Sequence, residues 1–400
     1  MTSTSEHIER GARFGARNYA PIPVVITRGE GAFVWDVEGR RYWDCLSAYS
    51  AVAQGHCHPR VVAALVEQAQ RLTLVSRAFH NDKLAAMLER VARLTGFAKV
   101  LPMNTGAEAV ETAIKAMRRW GAEVKGVPDG SQEIVVAEGN FHGRTTTIVS
   151  FSSEPEYRRG FGPRTPGFVE VPFGDAEALA RAIGPHTVGA LLEPIQGEAG
   201  VRIPPDGYLA RVRELCTERA VLLTWDEVQT GLGRTGRMFA WQREDARPDV
   251  LVLGKALSGG MLPASCICAD DAVMDVFTPG SHGSTYGGNP LAAAVTVAAL
   301  DVIEDERLPE RAAELGAHAL ARLRAELASP AVAEVRGRGL MLAVEYREPI
   351  AARVARALCE AGVLVKDTRG TVVRILPPLV IARDDLDAAL DVAIPILDRA

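Results

Sequence analysis

Short, mostly apolar runs, each closed by a polar or small residue and followed by a stretch of helix formers, recur from about residue 60 to residue 270. The runs are Phe97–Met103, Glu133–Ala137, Val188–Leu192, Val221–Trp225 and Val250–Leu253. Runs this short, with no apolar–polar alternation, are typical of strands buried on both faces. The stretches before and between them predict helices over about Pro59–Leu72, Ala107–Trp120 and Asp206–Arg219. In the second of these, Glu108 and Glu111 stand in the first turn and Arg118 and Arg119 in the last, the charge order that suits the helix dipole. Strand–helix alternation of this kind predicts an α/β fold, a mainly parallel sheet wrapped by helices.

The pattern changes at both ends of the chain. Met1–Arg17 is polar and expected to be loosely ordered, and Val24–Trp43 reads as short strands with turns at Gly29–Gly31 and Glu38–Arg40. After an Ala/Val-rich helix at Leu291–Ile303, Arg, Glu and Ala dominate in amphipathic helices. Short strands then begin at Val335–Gly339, Gly362–Lys366 and Val372–Pro378. The expected layout is a large domain over 49–305 and a smaller α/β domain over 306–400, joined by the N-terminal segment 1–48.

Chemistry gathers where the apolar runs stop. Val221–Trp225 ends in Asp226-Glu227, and Val250–Leu253 leads into Gly254-Lys255, so an acid and a lysine 29 positions apart stand at two strand ends. The carboxyl edge of an open α/β sheet is where such folds bind ligands. Pyridoxal phosphate needs this pair: a lysine to hold its aldehyde as a Schiff base, and an acid to keep its pyridine nitrogen protonated. On these two residues alone, a loop-capping aspartate and a surface lysine are the commoner reading, since strand-end acids and lysines are frequent. Asn104-Thr105-Gly106 precedes a helix and points free backbone N–H groups at a phosphate, or is an ordinary βα turn. In Gly139–Arg144, Phe141 could lie on a planar ring and Arg144 could take a carboxylate, or both could be loop packing. His56-Cys57-His58 has no second ligand cluster, so a turn is expected there and no metal.

Composition narrows the class of partner. Four hundred residues with 48% hydrophobic content can bury a large core, and a formal net charge of -5 offers no attraction to nucleic acid or an anionic membrane. No apolar stretch reaches membrane-spanning length, and the N-terminus, with Glu6 and Glu9 among its arginines, resembles neither a secretory signal nor a transit peptide. Six scattered cysteines without a CxxC imply reduced thiols and a cytoplasmic protein.

Five blocks carry a family resemblance: Leu46-Ser-Ala-Tyr-Ser-Ala-Val52, Leu101-Pro-Met-Asn-Thr-Gly106, Glu193-Pro-Ile-Gln-Gly-Glu-Ala-Gly200, Asp226-Glu-Val-Gln-Thr-Gly231 and Leu253-Gly-Lys-Ala-Leu-Ser-Gly-Gly260. In this order, over nearly the whole chain, they resemble the class III (omega) aminotransferases of the fold-type I pyridoxal phosphate enzymes, most of all the ornithine aminotransferases. The resemblance implies Lys255 as the Schiff-base lysine and Asp226 as partner of the pyridine nitrogen. It implies Gln229 on the ring hydroxyl, Phe141 stacked on the ring, and Gly106 and Ala107 around the phosphate. Ser284 and Thr285 would reach the phosphate of a neighbouring subunit, making an obligate homodimer.

For substrate, the resemblance implies that Glu198 masks Arg374 until 2-oxoglutarate arrives, while Tyr19, Tyr49 and Arg144 hold the far end of ornithine. Other omega-amines (N-acetylornithine, 4-aminobutyrate) or an aminomutase reaction are the alternatives. Two departures stand out. Ala107 replaces a common serine or threonine, and Trp225 is bulky where smaller residues are usual.

Overall fold

The structure, a computed structural model, describes residues 3–400. Its first element corrects the sequence reading: the segment expected to be loose is a helix over Thr4–Phe14. The signal was present, because Ser3 and Glu6 form a reciprocal capping box that satisfies two N-terminal donors. None of its residues is buried, so no apolar periodicity toward a core announced it. Met1 and Thr2 of that expected segment lie outside the described residues.

Three antiparallel-paired strands follow: β1 (Ile26–Glu30), β2 (Phe33–Asp36) and β3 (Arg41–Asp44). The next seven are β4 (Lys99–Met103), β5 (Glu133–Ala137), β6 (Phe168–Val171), β7 (Thr187–Leu192), β8 (Leu222–Asp226), β9 (Val250–Leu253) and β10 (Ser265–Ala269). They form one sheet in the order β4-β10-β9-β8-β7-β5-β6. Strands β6, β5, β7, β8 and β9 are mutually parallel, while β10 runs antiparallel to both β9 and β4. Both faces are buried. Val135, Leu223, Trp225, Leu251 and Leu253 enter one core, and Ile134, Val136, Leu222, Val250 and Val252 the other, the period-2 split of a covered sheet. At about 1.5–3 kcal/mol for each large apolar side chain removed from water, this double burial explains why the runs contain so few polar residues. The helix Gly106–Glu123 covers the second face with Val110, Ile114 and Met117, and the helix Pro290–Asp305 packs in the core of the first.

The remaining strands are β11 (Val332–Arg338), β12 (Met341–Tyr346), β13 (Val363–Leu364), β14 (Lys366–Thr368) and β15 (Val372–Ile375). Four of them form an antiparallel sheet in the order β11-β12-β15-β14. The fifth, β13, leaves it and pairs in parallel with β3, so residues near both ends of the chain share one sheet. Trp225 faces the core on the side of the sheet opposite to its neighbour Asp226 and donates its Nε1 to the Ala246 carbonyl at 2.8 Å, which absorbs its bulk. Among the described residues no helix is long and apolar enough to cross a membrane.

Candidate active site

Neighbouring strands β8 and β9 deliver the two residues that matter most. Trp225 pairs with Leu251 and Asp226 with Val252, so Asp226 leaves the sheet beside the run that turns into Gly254-Lys255. Lys255 opens a short 3-10 turn with φ +46, a left-handed backbone that a lysine adopts only where its surroundings hold it. Both side chains line a cavity of about 200 Å³, together with Gly106, Ala107, Phe141, His142, Glu193, Glu198, Val228 and Gln229.

Each wall of the cavity has its own chemistry. At one end, Gly106 and Ala107 begin the helix Gly106–Glu123, whose first N–H groups have no partner within the helix. Thr105 caps that helix through the Glu108 N–H, leaving the earliest N–H groups available to an anion. At the floor, one Asp226 oxygen accepts the Val228 N–H at 3.0 Å and the other meets His142 Nδ1 at 2.7 Å. Burial alone would lower the pKa of His142, but the hydrogen bond and charge of Asp226 outweigh it and raise it. His142 Nε2 is buried with no hydrogen-bond partner among the described residues. Burial pushes Glu193 up to about 8, with Asp226 adding to the rise and His142 opposing it. Its Oε2 accepts the Phe141 N–H at 3.0 Å and so holds the aromatic wall in place. Burial likewise lowers the pKa of Lys255, against the pull of Glu198 and Asp226.

The opposite sheet supplies Arg374, on β15. It is 1% exposed and grips Glu198 with two hydrogen bonds, Nη1 to Oε1 at 2.7 Å and Nη2 to Oε2 at 3.2 Å. Burial would raise the pKa of Glu198; the charge and hydrogen bonds of Arg374 reverse that and lower it. Gln229 completes the corner. Its Nε2 donates to Glu198 Oε1 at 3.2 Å and to the Tyr49 carbonyl at 3.3 Å. The ring of Tyr49 lies 5.2 Å from the Arg374 guanidinium carbon.

Of the residues singled out in the sequence, Lys255, Asp226, Gly106, Ala107, Phe141, Gln229 and Glu198 share the cavity wall, and Arg374 and Tyr49 adjoin it. Arg144 stacks over the Tyr157 ring at 3.8 Å and forms no ion pair among the described residues. Tyr19 is 79% exposed and does not line the cavity described above. Ser284 lies outside the cavity, accepting from Asn104 Nδ2 at 3.0 Å, and Thr285 is exposed. The histidine cluster is divided between Asp44, which pairs with His56, and Glu306, which pairs with His58. Sequence reasoning passed over His142 and Glu193. A strand-end acid after Val188–Leu192 was the available signal for Glu193, and the neighbour of Phe141 the one for His142.

Residues 14–397 match the family model for class-III aminotransferases. The chain is 56% identical over 391 residues to an ornithine aminotransferase of Halalkalibacterium halodurans, covering 98% of each. It superposes with TM-score 0.98 and 46% identity on the ornithine aminotransferase of Toxoplasma gondii, covering 99% of this chain and 94% of that one. That structure is described as having partial occupancy of PLP at its active site. An acetylornithine aminotransferase from Elizabethkingia anophelis aligns at TM-score 0.91 and 45% identity over all of both chains. With that match spanning nearly the whole sequence and a site of this geometry beneath it, the chain belongs to the class-III aminotransferases.

Proposed function

We propose that this protein transfers the δ-amino group of L-ornithine to 2-oxoglutarate, using pyridoxal 5'-phosphate, to give glutamate 5-semialdehyde (which cyclises to pyrroline-5-carboxylate) and glutamate. The cavity's donor set fits that cofactor: a helix N-terminus for its phosphate, Asp226 for its ring nitrogen, Gln229 for its ring hydroxyl, Phe141 and Val228 for its apolar faces, and Lys255 for its aldehyde. When bound, pyridoxal phosphate supplies an aldehyde that takes up an amine and a protonated ring that draws off the electrons left when a carbon loses its proton. Asp226 would hold the ring nitrogen, and His142, at 2.7 Å from its Oδ2, fixes the carboxylate's orientation. Lys255 Nζ, its pKa lowered by burial, is an amine able to accept and return the migrating proton.

The observation that carries the substrate assignment is the two-pronged Glu198–Arg374 pair beside Tyr49. A free guanidinium there would attract the α-carboxylate of a diamino acid and bring the wrong amine forward. Glu198 occupies it during the first half-reaction, and an incoming 2-oxoglutarate carboxylate replaces Glu198 in the second. Tyr49 and the unpaired Arg144, with Tyr19 at the entrance, hold the α-amino and α-carboxylate groups away from Lys255. An acetylornithine reading also has support, in the 45% identity to an enzyme of that name. An N-acetyl group, however, removes the α-ammonium that Tyr49 would meet in this reading.

We further infer a homodimer whose partner copy brings Ser284 and Thr285 to the phosphate end, since in one copy they lie outside the cavity. We read 49–305 as the cofactor-binding domain and 306–400, with 1–48, as the smaller one. Six unpaired cysteines fit a cytoplasmic setting. The test is turnover with ornithine, N-acetylornithine and 4-aminobutyrate, joined to single-turnover rates of each half-reaction in Glu198→Ala and Arg374→Ala. Glu198→Ala should lose δ-transfer, gain α-transfer and keep 2-oxoglutarate binding, while Arg374→Ala should harm chiefly the 2-oxoglutarate half. Equal losses in both halves would reduce the pair to a structural salt bridge.

A further inference from the structure

Four consecutive non-glycine residues, Ser47, Ala48, Tyr49 and Ser50, stand at φ of +44°, +46°, +58° and +79°. Left-handed backbone is disfavoured for every residue with a Cβ, and four in succession persist only where the surroundings over-determine them. The turn carries Tyr49, whose carbonyl meets Gln229 and whose ring adjoins Arg374. What holds it is a second arginine. Arg234 is 0% exposed and makes no salt bridge among the described residues, an expensive way to keep a charge. Its Nε donates to Ser50 Oγ at 2.8 Å and its Nη2 to Ser47 Oγ at 3.2 Å, gripping both ends of the turn. Its Nη1 donates to the carbonyls of Pro377 at 2.6 Å and Leu340 at 3.0 Å, at the end of the strand bearing Arg374 and just before β12. Ser47 Oγ in turn donates to the Leu376 carbonyl at 2.7 Å, and Asp44 accepts the Leu46 and Ser47 N–H groups from the other side.

We propose that Arg234 is a positioning residue for substrate selection: its planar fork fixes the left-handed turn, and hence Tyr49, in register with Arg374. Among the described residues no other side chain joins the turn, the loop after β8 and the end of β15 in this way. A lysine could carry the charge but could not reach these acceptors in one plane. This rests on the reading that Tyr49 contacts the far end of ornithine, so Tyr49→Phe accompanies every measurement.

Ser50→Ala removes the acceptor of Arg234 Nε and leaves the backbone as strained as before, because alanine and serine object equally to positive φ. In holoenzyme carrying Ser50→Ala, the KM for ornithine should rise by on the order of tenfold to a hundredfold, the scale on which a misplacement of about 1 Å weakens a site. The KM for 2-oxoglutarate and the cofactor absorption spectrum should stay near wild type, and amides of residues 46–52 should exchange faster with solvent. Arg234→Lys should show the same split, more strongly. If that variant fails to fold, Ser50→Ala and Ser47→Ala decide alone. A loss of thermal stability with both KM values and the exchange of 46–52 unchanged would overturn the proposal and leave Arg234 a plain structural clamp. So would equal losses for both substrates. If Tyr49→Phe itself leaves the ornithine KM unchanged, the substrate reading fails separately; unchanged exchange in Ser50→Ala would still sink the role of Arg234.

Discussion

Lys255 must be a nucleophile at a pH where free lysines are almost wholly protonated, and its surroundings answer that demand by burial. The sign follows directly. A pKa lowered below the ordinary lysine value means that the neutral amine is already present at lower pH, so cofactor uptake by the apoprotein should rise with pH and level off earlier than imine formation by free lysine. Rapid-mixing absorbance across pH checks this, and a plateau at or above the free-lysine midpoint would contradict it. Borohydride reduction should then fix the cofactor on Lys255. Asp226→Asn cannot keep a pyridine nitrogen protonated, and it also disturbs the His142 contact at 2.7 Å. Turnover should fall by orders of magnitude, a barrier increase of several kcal/mol, while cofactor affinity falls less. Absorbance titration beside steady-state rates separates the two. At this scale the sequence was informative wherever a reactive side chain ended an apolar run, as Asp226 and Lys255 do. For His142 and Glu193 the signal was weak, a strand-end acid and the neighbour of Phe141, because their roles depend on strands β5, β7 and β8 lying side by side.

Elements repeat that contrast. Strand β5 falls on the expected Glu133–Ala137, and the Ala107–Trp120 and Leu291–Ile303 helices lie within Gly106–Glu123 and Pro290–Asp305, because burial against a sheet forces apolar periodicity into the chain. Strands β6 and β10 went unnoticed. The first is a four-residue edge strand whose Glu170 is exposed, and the second is inserted antiparallel between β4 and β9, an order no local pattern records. The left-handed turn at Ser47–Ser50 was equally hidden, since its sequence contains no glycine. Gly143 is the reverse case, a glycine with a legible reason. At φ +124°, an added Cβ would lie 2.8 Å from the Ala107 Cβ, against the helix N-terminus that forms the phosphate end of the cavity. The small Ala107, unusual in the family resemblance, is therefore in a place where little extra volume fits. Gly143→Ala should displace that first turn and speed cofactor loss, measured as the rate of holoenzyme bleaching against a trapping reagent, with a smaller effect on thermal stability. Unchanged cofactor loss would show that loop and helix move independently.

On the scale of the whole molecule, the site lies where the seven-stranded sheet meets the sheet that bears Arg374, so it needs both ends of the chain to be folded. The homodimer inferred above adds a third contributor. The 281–286 segment exposes Thr285 and leaves Tyr286 56% accessible. If a partner's Thr285 reaches the phosphate, two dead variants should rescue each other. Lys255→Ala removes the amine but keeps an intact 281–286 segment. Thr285→Asp keeps the amine but offers a carboxylate to a phosphate, and repulsion should weaken cofactor binding. Each variant alone should be nearly inactive. Co-expressed with different tags and purified as the mixed dimer, they should regain about half of the wild-type activity, because one site then combines an intact Lys255 with an intact partner segment and the other carries both lesions. Were the segment to serve its own chain, each site of the mixed dimer would keep one lesion and no activity would return.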